Sequence, residues 1–278
     1  MIFTAEIGCN HLGEFNLAMQ MIRIFAQCGA NIIKFQKRCP RELLPREKYD
    51  APHPRPEQSY GHSYGAHREF LELDINQHAA LKKECERYGV EYMASVWDMT
   101  SAREIIGLNP KQIKIPSPVN NNIELLDFIC GHFQGMIHIS TGMTTDKELE
   151  LISKYISINP DRFVLYHSVS SYPTHVSDLC LKNITALKQY CALTGFSGHH
   201  NGIDADIAAI VYGATYLERH VTLSRMLKGT DHAFSLEPDD FKNLVYKVKN
   251  IEQALTEKNQ EILECEKEFR DKLKKETA

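Results

Sequence analysis

The stretch IFTAEIGCNHLGEFNLAMQMIRIFAQCGANIIKFQ, residues 2–36, contains two short apolar segments separated by an amphipathic one. The segments 2–7 and 31–36 are almost continuously apolar, which is typical of parallel strands that are covered on both faces. Between them, residues 15–28 carry apolar side chains at the spacing of one helix face. The stretch therefore predicts a strand, a helix and a second strand that form a βαβ unit.

The same alternation continues along the rest of the chain. Eight strand-and-helix units predict a single (β/α)8 TIM barrel of the α/β class, followed by a helical tail. A doubly wound sheet is the competing fold, because the sequence alone does not show whether the sheet closes. Further strands are predicted at 90–97, 111–115, 135–140, 162–167, 194–198 and 214–221. Further helices are predicted at 75–88, 122–133, 144–157, 179–192, 203–212 and from about residue 238.

Two segments fall outside this repeat. Residues 37–73 form a long connection after the second strand, and in a barrel such a connection opens on the catalytic face. Residues 257–278 are strongly charged and have few apolar positions, which predicts a solvated helical tail after a barrel domain at 1–256.

The composition excludes several classes of protein. With 43% hydrophobic residues, a chain of 278 residues can bury a core, so a disordered protein is excluded. A net charge of −4 gives no overall attraction to nucleic acid or to an anionic membrane, and we expect neither as a partner. The eight cysteines form no C-x-x-C motif, and the N-terminus lacks the basic start of a signal peptide. We therefore expect reduced thiols in a cytoplasmic protein.

Polar side chains lie at or near the C-terminal end of every predicted strand. Charged groups inside strands are costly unless they are paired or form a site, and TIM barrels place their active sites at this end. Any one of these residues could be a surface residue, but the agreement of all eight strands predicts a functional site. The candidates are Glu6, Lys34, Gln36, Ser95, Lys114, Ser117, Ser140, Ser170, Tyr172, Ser197, His199, Glu218 and His220.

Two kinds of chemistry are suggested by these residue types. His199 and His220 come from consecutive strands, so both could reach one divalent metal ion, although a pair of ordinary polar histidines is the alternative. Lys34 and Lys114, with the nearby serines, provide cationic and hydroxyl donors for phosphate and carboxylate groups. Together they indicate a small anionic substrate, phosphorylated and bound beside a metal.

A set of short motifs identifies a known family. The motifs are Ala5–His11 (AEIGCNH), Ile33–Gln36 (IKFQ), Ile113–Ser117 (IKIPS), Ile139–Met143 (ISTGM), Ser171–Thr174 (SYPT), Gly195–His199 (GFSGH), Glu218–His220 (ERH) and Gly229–Pro238 (GTDHAFSLEP). In this order and spacing, over about residues 2–256, the chain resembles the sialic acid synthase (N-acetylneuraminate synthase) family. These enzymes are phosphoenolpyruvate-dependent synthases of nonulosonic acids, and their fold is a (β/α)8 barrel.

The resemblance implies roles for individual residues. Glu6 and Glu218 would be the acid and base, and His199 and His220 would bind a divalent metal, usually Mn²⁺, with Mg²⁺ or Co²⁺ as alternatives. Gln36, Tyr172 and Asp231 would contact the acceptor sugar, and the enzyme would be a homodimer. The phosphoenolpyruvate phosphate and carboxylate would be held by Lys34, Ser95, Lys114, Ser117, Ser140, Ser197 and, at a position where the family often has Asn, Ser170.

The implied reaction joins phosphoenolpyruvate to an open-chain aldose or N-acetylamino sugar, giving a 3-deoxy-2-keto sugar acid and phosphate. Two alternatives are open. One is a related phosphoenolpyruvate aldol synthase that uses a phosphorylated aldose, and the other is a sugar-binding barrel without turnover. The motifs do not identify the acceptor sugar.

The chain departs from the family pattern in two places. Gly198 stands where the family usually has Asp, so a carboxylate next to a metal-binding histidine is expected to be missing. The antifreeze-like domain that follows the barrel in typical members is also expected to be missing. Residues 37–73 are the best internal candidate to close the acceptor site in its place, and a solvated flap or a dimer contact is the alternative interpretation. The side chains suited to sugar hydroxyls or a carboxylate are Arg38, Arg41, Arg46, Arg55, Arg68, Tyr60 and Tyr64.

Overall fold

The computed structural model of the chain describes residues 1–274, and its eight strands form one closed barrel. Neighbouring strands are parallel and follow chain order, and the first strand pairs with both the second and the last. This closure confirms the predicted (β/α)8 barrel and excludes the doubly wound sheet. The strands are β1 Ile2–Gly8, β2 Ile32–Lys37, β3 Glu91–Val96, β4 Gln112–Ile115, β5 Met136–Ser140, β6 Phe163–Ser168, β7 Leu193–Gly198 and β8 Tyr216–His220.

Helices surround the barrel and connect its strands. They are α1 Phe15–Gln27, α2 Pro40–Leu43, α3 Arg46–Asp50, α4 Tyr64–Phe70, α5 Ile75–Arg87, α6 Met99–Gly107, α7 Ile123–His132, α8 Asp146–Ile158, α9 Asn183–Leu187, α10 Asp204–Val211, α11 Pro238–Ala254 and α12 Glu264–Leu273.

The observed barrel helices differ from the predicted ones in two places. The helix predicted at 179–192 is only α9, because Cys180 has a φ of 46°, a left-handed conformation that the start of a helix cannot contain. Helix α6 was not predicted, although Asp98 marks its start. The Asp98 side chain accepts a hydrogen bond from the backbone N–H of Ser101 at 2.7 Å, which is an N-cap.

The connection at 37–73 is more structured than the sequence indicated. It contains α2, α3 and α4, and prolines stand at the start of α2 and of a 3₁₀ turn at Pro56–Gln58. It also reaches the connection after β8: Tyr60 donates a hydrogen bond to the carbonyl of Lys228 at 2.6 Å. The segment therefore lies over the C-terminal end of the barrel. We call residues 37–73 the insertion.

Glu6, Lys34, Lys114 and Glu218 lie inside the barrel, and the apolar core lies between the strands and the surrounding helices. On β1, Phe3, Ala5 and Ile7 belong to the apolar core between strands and helices, whereas Glu6 meets charged partners from other strands. Because side chains alternate along a strand, the residues between these core positions point into the barrel.

The C-terminal part of the chain leaves the barrel after α11. Helix α12 has no buried side chain, and its charged residues form short-range ion pairs such as Lys272 with Glu268. The last four residues of the predicted tail lie outside the described residues. Within residues 1–274, no helix combines the length and apolar character needed to cross a bilayer.

Candidate active site

Four buried charges form the floor of the site. Lys34 Nζ lies 2.8 Å from Glu6 Oε2 and 3.4 Å from Glu218 Oε1, and Lys114 Nζ lies 2.8 Å from Glu218 Oε2. The four side chains come from β1, β2, β4 and β8, so closure of the barrel is what brings them together. Each is at most 5% exposed. Such buried pairs contribute little net stability because of desolvation, which favours a functional reason for their presence.

The two lysines differ in how firmly they hold their proton. Burial lowers the pKa of Lys114 to about 8, although Glu218 attracts its charge. Burial also acts against the charge of Lys34, but Glu218 and Glu6 outweigh it and raise the pKa of Lys34. Burial would raise the pKa of Glu218, yet Lys114 and Lys34 hold it at about 2. The carboxylate of Glu218 is thus ionised, and of the two lysines Lys114 has the pKa closer to neutral pH.

A central cavity opens above these charges at the C-terminal end of the strands. The predicted residues Ser170 and Asp231 lie outside its lining: Ser170 lines a neighbouring cavity with Ser168, and Asp231 lies beside His220. The other predicted site residues do line it, namely Glu6, Lys34, Gln36, Ser95, Lys114, Ser117, Ser140, Tyr172, Ser197, His199, Glu218 and His220.

Serine hydroxyls surround the lysines as the sequence analysis expected. Ser95 Oγ accepts a hydrogen bond from Lys34 Nζ at 2.9 Å, and Ser197 Oγ donates one to Glu218 Oε1 at 3.2 Å. The buried Ser140 ends β5 next to them. These donors and the two lysines form a compact pocket for an anion with several oxygens.

A second group of hydroxyls crowds around Gly142. Ser117 Oγ accepts a hydrogen bond from the Gly142 N–H at 2.9 Å and lies 3.3 Å from Ser168 Oγ. A Cβ atom at position 142 would collide with the hydroxyls of Ser117, Ser168 and Ser170. Glycine is therefore required there, because only a residue without a side chain lets the three hydroxyl groups approach the backbone this closely.

The two predicted metal-binding histidines lie side by side at the mouth, with ring centroids 5.6 Å apart. His199 Nδ1 lies 3.0 Å from the carbonyl oxygen of Val169, so Nδ1 carries the proton and Nε2 is left for a ligand. Burial, with some repulsion from His220, lowers the pKa of His199 to about 3 and keeps the ring neutral. His220 Nδ1 lies 3.9 Å from Asp231 Oδ2.

These features fit a divalent ion held by two protein ligands. Neutral imidazoles with an oriented second nitrogen are the usual form of histidine at metal sites. Among the described residues, no group of three or more His, Cys, Asp or Glu side chains forms a metal cluster. Further ligands would then have to be water or substrate oxygens, which suits an ion that takes part in catalysis.

The side of the cavity expected to hold the acceptor sugar contains Gln36 and Tyr172. Gln36 Nε2 donates a hydrogen bond to Glu6 Oε1 at 2.6 Å, and Gln36 Oε1 accepts one from Arg38. The ring of Tyr172 packs 4.5 Å from that of His199, and half of the residue is exposed at the mouth. Burial would raise the pKa of Asp231, but His220 lowers it, so this carboxylate is ionised.

Two residues of this region, Trp97 and Ser168, were not among the predicted site residues. Trp97 lines the central cavity just after β3, and the guanidinium of Arg38 lies 4.2 Å from the centre of its ring. Ser168 ends β6 and faces Ser117. A signal was available for Trp97, since the single tryptophan of the chain is the last residue of the strand predicted at 90–97.

Gly198 does not face His199 and His220. A Cβ atom there would lie 2.8 Å from the ring of Phe196 and 2.9 Å from the ring of His200, on the outer face of the barrel. On that face, Asp206 on α10 forms a buried ion pair with Arg219 and lies 3.3 Å from His200 Nε2. The Asp206 carboxylate therefore lies at the opposite edge of the His200 ring from position 198, and Arg219 links it to the backbone of His200 through a 2.6 Å hydrogen bond.

Comparisons with known proteins agree with this geometry. The sequence model described as "NeuB family" matches residues 21–260. The chain is 33% identical to human N-acetylneuraminate-9-phosphate synthase over 277 residues, which cover 98% of this chain and 76% of the relative. It is 36% identical to the enzyme of the same name from Drosophila melanogaster over 255 residues, covering 89% and 67%.

A solved structure with the same fold supports the match. The N-acetylneuraminic acid (sialic acid) synthetase from Leptospira borgpetersenii, crystallised with citrate, aligns with a TM-score of 0.83 and 27% identity. The alignment covers 99% of this chain and 93% of that one. The family suggested by the short motifs is thereby confirmed: the chain belongs to the NeuB family of sialic acid synthases.

Proposed function

We propose that this protein is a phosphoenolpyruvate-dependent synthase. It joins phosphoenolpyruvate to an open-chain aldose or N-acetylamino sugar, and it releases phosphate and a 3-deoxy-2-keto sugar acid of the nonulosonic type. The observation that carries this proposal is the buried array of Glu6, Lys34, Glu218 and Lys114 beneath two histidines. The array combines cations for a phosphorylated carboxylate with carboxylates for proton transfer.

The reaction balances with these groups. C3 of phosphoenolpyruvate forms a bond to the aldehyde carbon, whose oxygen takes up a proton, and water then adds at C2 and gives up a proton. Cleavage of a C–O bond releases phosphate. Glu6 and Glu218 hold or accept the protons, while Lys34 and Lys114 bind the anionic groups in a site largely shielded from water. A divalent ion bound by His199 and His220, which we propose to be Mn²⁺, would polarise the aldehyde oxygen.

The direct test is phosphate release from phosphoenolpyruvate, measured with Mn²⁺ present and with a panel of aldoses and N-acetylamino sugars. We expect saturable release that depends on one class of sugar, together with an equal amount of keto acid. Release only with short phosphorylated aldoses would favour the aldol synthase alternative. Sugar binding without any release would favour the non-catalytic barrel and contradict the proposal.

A pH profile tests the role of Lys114. Its charged form binds the anion, and its pKa is lowered to about 8, so kcat/KM for phosphoenolpyruvate should fall as the pH rises through about 8. Lys114→Arg keeps the charge and should move this alkaline limb to higher pH. The matched control is Lys111→Arg, since Lys111 is an exposed residue paired with Glu91 at the opposite end of the barrel. An unchanged limb in Lys114→Arg would contradict the assignment.

We also propose that the protein is a homodimer, as the family resemblance implies, and that it is cytoplasmic, as its cysteines predict.

A further inference from the structure

A second cavity adjoins the central one and is formed by the insertion together with the connections that follow β3 and β4. We call it the side pocket. Trp97 lines both cavities and forms the partition between them. The polar part of its wall is formed by Arg38, Lys48, Tyr64 and Arg68, and the apolar part includes Leu43 and Val119.

The side pocket is strongly cationic. Arg38, Lys48 and Arg68 line it, and among residues 1–274 no acidic side chain contributes to its lining. Arg38 has a carboxylate neighbour behind it, since its Nη1 lies 3.9 Å from Glu72 Oε1. The guanidinium of Arg68 instead donates to the hydroxyl of Tyr64 at 2.9 Å, which leaves its charge without compensation from that partner.

Hydrogen bonds connect the side pocket with the proposed reaction centre. Arg38 donates to Gln36 Oε1, and Gln36 donates to Glu6 Oε1 at 2.6 Å. At the partition, Trp97 Nε1 is buried and has no hydrogen-bond partner within the described part of the chain. A buried N–H group in this condition is costly unless a ligand accepts its hydrogen bond. An acceptor molecule that extends from the histidines past Gln36 would satisfy it and then enter the side pocket.

We propose that the side pocket binds a phosphate ester at the far end of the acceptor sugar, so that the product is also a phosphate ester. The proposal rests on the proposed function. An arginine fork and a lysine match a dianionic phosphate, whereas the neutral hydroxyl of an unmodified sugar would not compensate the charges of Arg68 and Lys48. Lys48 and Arg68 are assigned to the phosphate, and Arg38 remains the link to Gln36.

Carbon numbering connects this proposal with the comparisons. Phosphoenolpyruvate contributes three carbons, so the aldehyde carbon of a hexose becomes C4 of the product and its C6 becomes C9. A phosphate in the side pocket therefore corresponds to a 9-phosphate product. Two of the relatives are named as 9-phosphate synthases, whereas the Leptospira enzyme is named without a phosphate.

The test compares N-acetylmannosamine 6-phosphate with N-acetylmannosamine as acceptors, using the ratio of their kcat/KM values. The wild-type ratio should be at least about 100. Lys48→Met and Arg68→Met should each lower it by about tenfold or more, because each loses one charge-assisted contact with the phosphate. The matched control is Arg46→Met, since Arg46 is an exposed arginine of the same insertion that pairs with Asp50. Its ratio should equal that of the wild type.

Binding measurements make the result independent of turnover. Calorimetric titration should show tighter binding of the phosphorylated sugar to the wild type, and Arg68→Lys, which keeps the charge, should retain more of this difference than Arg68→Met. A wild-type preference for the unphosphorylated sugar, or a ratio unchanged in both methionine variants, would overturn the phosphate site. If neither sugar supports phosphate release, the proposed function fails. The titrations still decide whether the side pocket binds phosphate.

Discussion

Replacement of Glu218 by glutamine should lower kcat by a factor of about 100 to 10,000, the range associated with loss of an acid or base. Glu218 contacts both lysines and Ser197. The neutral glutamine cannot carry a proton in its place, and it also removes the main counter-charge of Lys114. Stopped assays of phosphate release at saturating phosphoenolpyruvate and sugar would measure the loss.

Glu91→Gln provides the matched control for this change. Glu91 also pairs with a lysine, Lys111, at 3.0 Å, but it starts β3 at the opposite end of the barrel. Its variant should keep kcat within about twofold of wild type, since exposed ion pairs contribute little. Equal losses in the two variants would mean that Glu218 acts through stability of the barrel, and the proposed proton-transfer role would be wrong.

Removal of the divalent ion should lower activity about as much as the Glu218→Gln substitution does. Treatment with EDTA should lower phosphate release by about 1,000-fold or more, because several kcal/mol of charge stabilisation would be lost. Added Mn²⁺, Co²⁺ or Mg²⁺ should restore it. The double variant His199→Ala and His220→Ala should fold but should no longer bind Mn²⁺ when titrated and followed by electron paramagnetic resonance.

The control for the histidines is His132→Ala, an exposed histidine at the end of α7 that should leave Mn²⁺ binding and activity unchanged. Full activity after thorough chelation would contradict the proposed metal. Retention of Mn²⁺ binding by the double variant would instead show that the ion binds elsewhere.

Strand parity explains why much of the site could be predicted. Glu218 and His220 share one face of β8 while Arg219 lies on the other, and the structure places the first two in the cavity and Arg219 among the helices. This follows from the two-residue period of a strand and from the position of active sites in barrels. Both rules act locally, so they can be applied to the sequence without knowing which strands are neighbours.

Contacts that depend on closure could not be predicted in this way. The pairing of Glu6 with Lys34, and of Glu218 with both lysines, requires the register and spatial order of strands that are far apart in the chain. The shape of the insertion was missed for another reason. Its short helices are each a turn or two long, too short for a hydrophobic period to be visible.

Because position 198 is a glycine in a crowded place, a larger residue can be introduced there only after neighbouring residues have changed. The rings of Phe196 and His200 are buried and occupy the space that any larger side chain at 198 would need. Asp, the usual residue of the family, would therefore fit at position 198 only if the rings of both Phe196 and His200 moved or were replaced by smaller side chains. His200 is itself held in place, because its Nε2 lies 3.3 Å from Asp206 and Asp206 forms a buried ion pair with Arg219. Position 198 is thus coupled to positions 196 and 200, and a relative with Asp at 198 should carry a different residue at one or both of them.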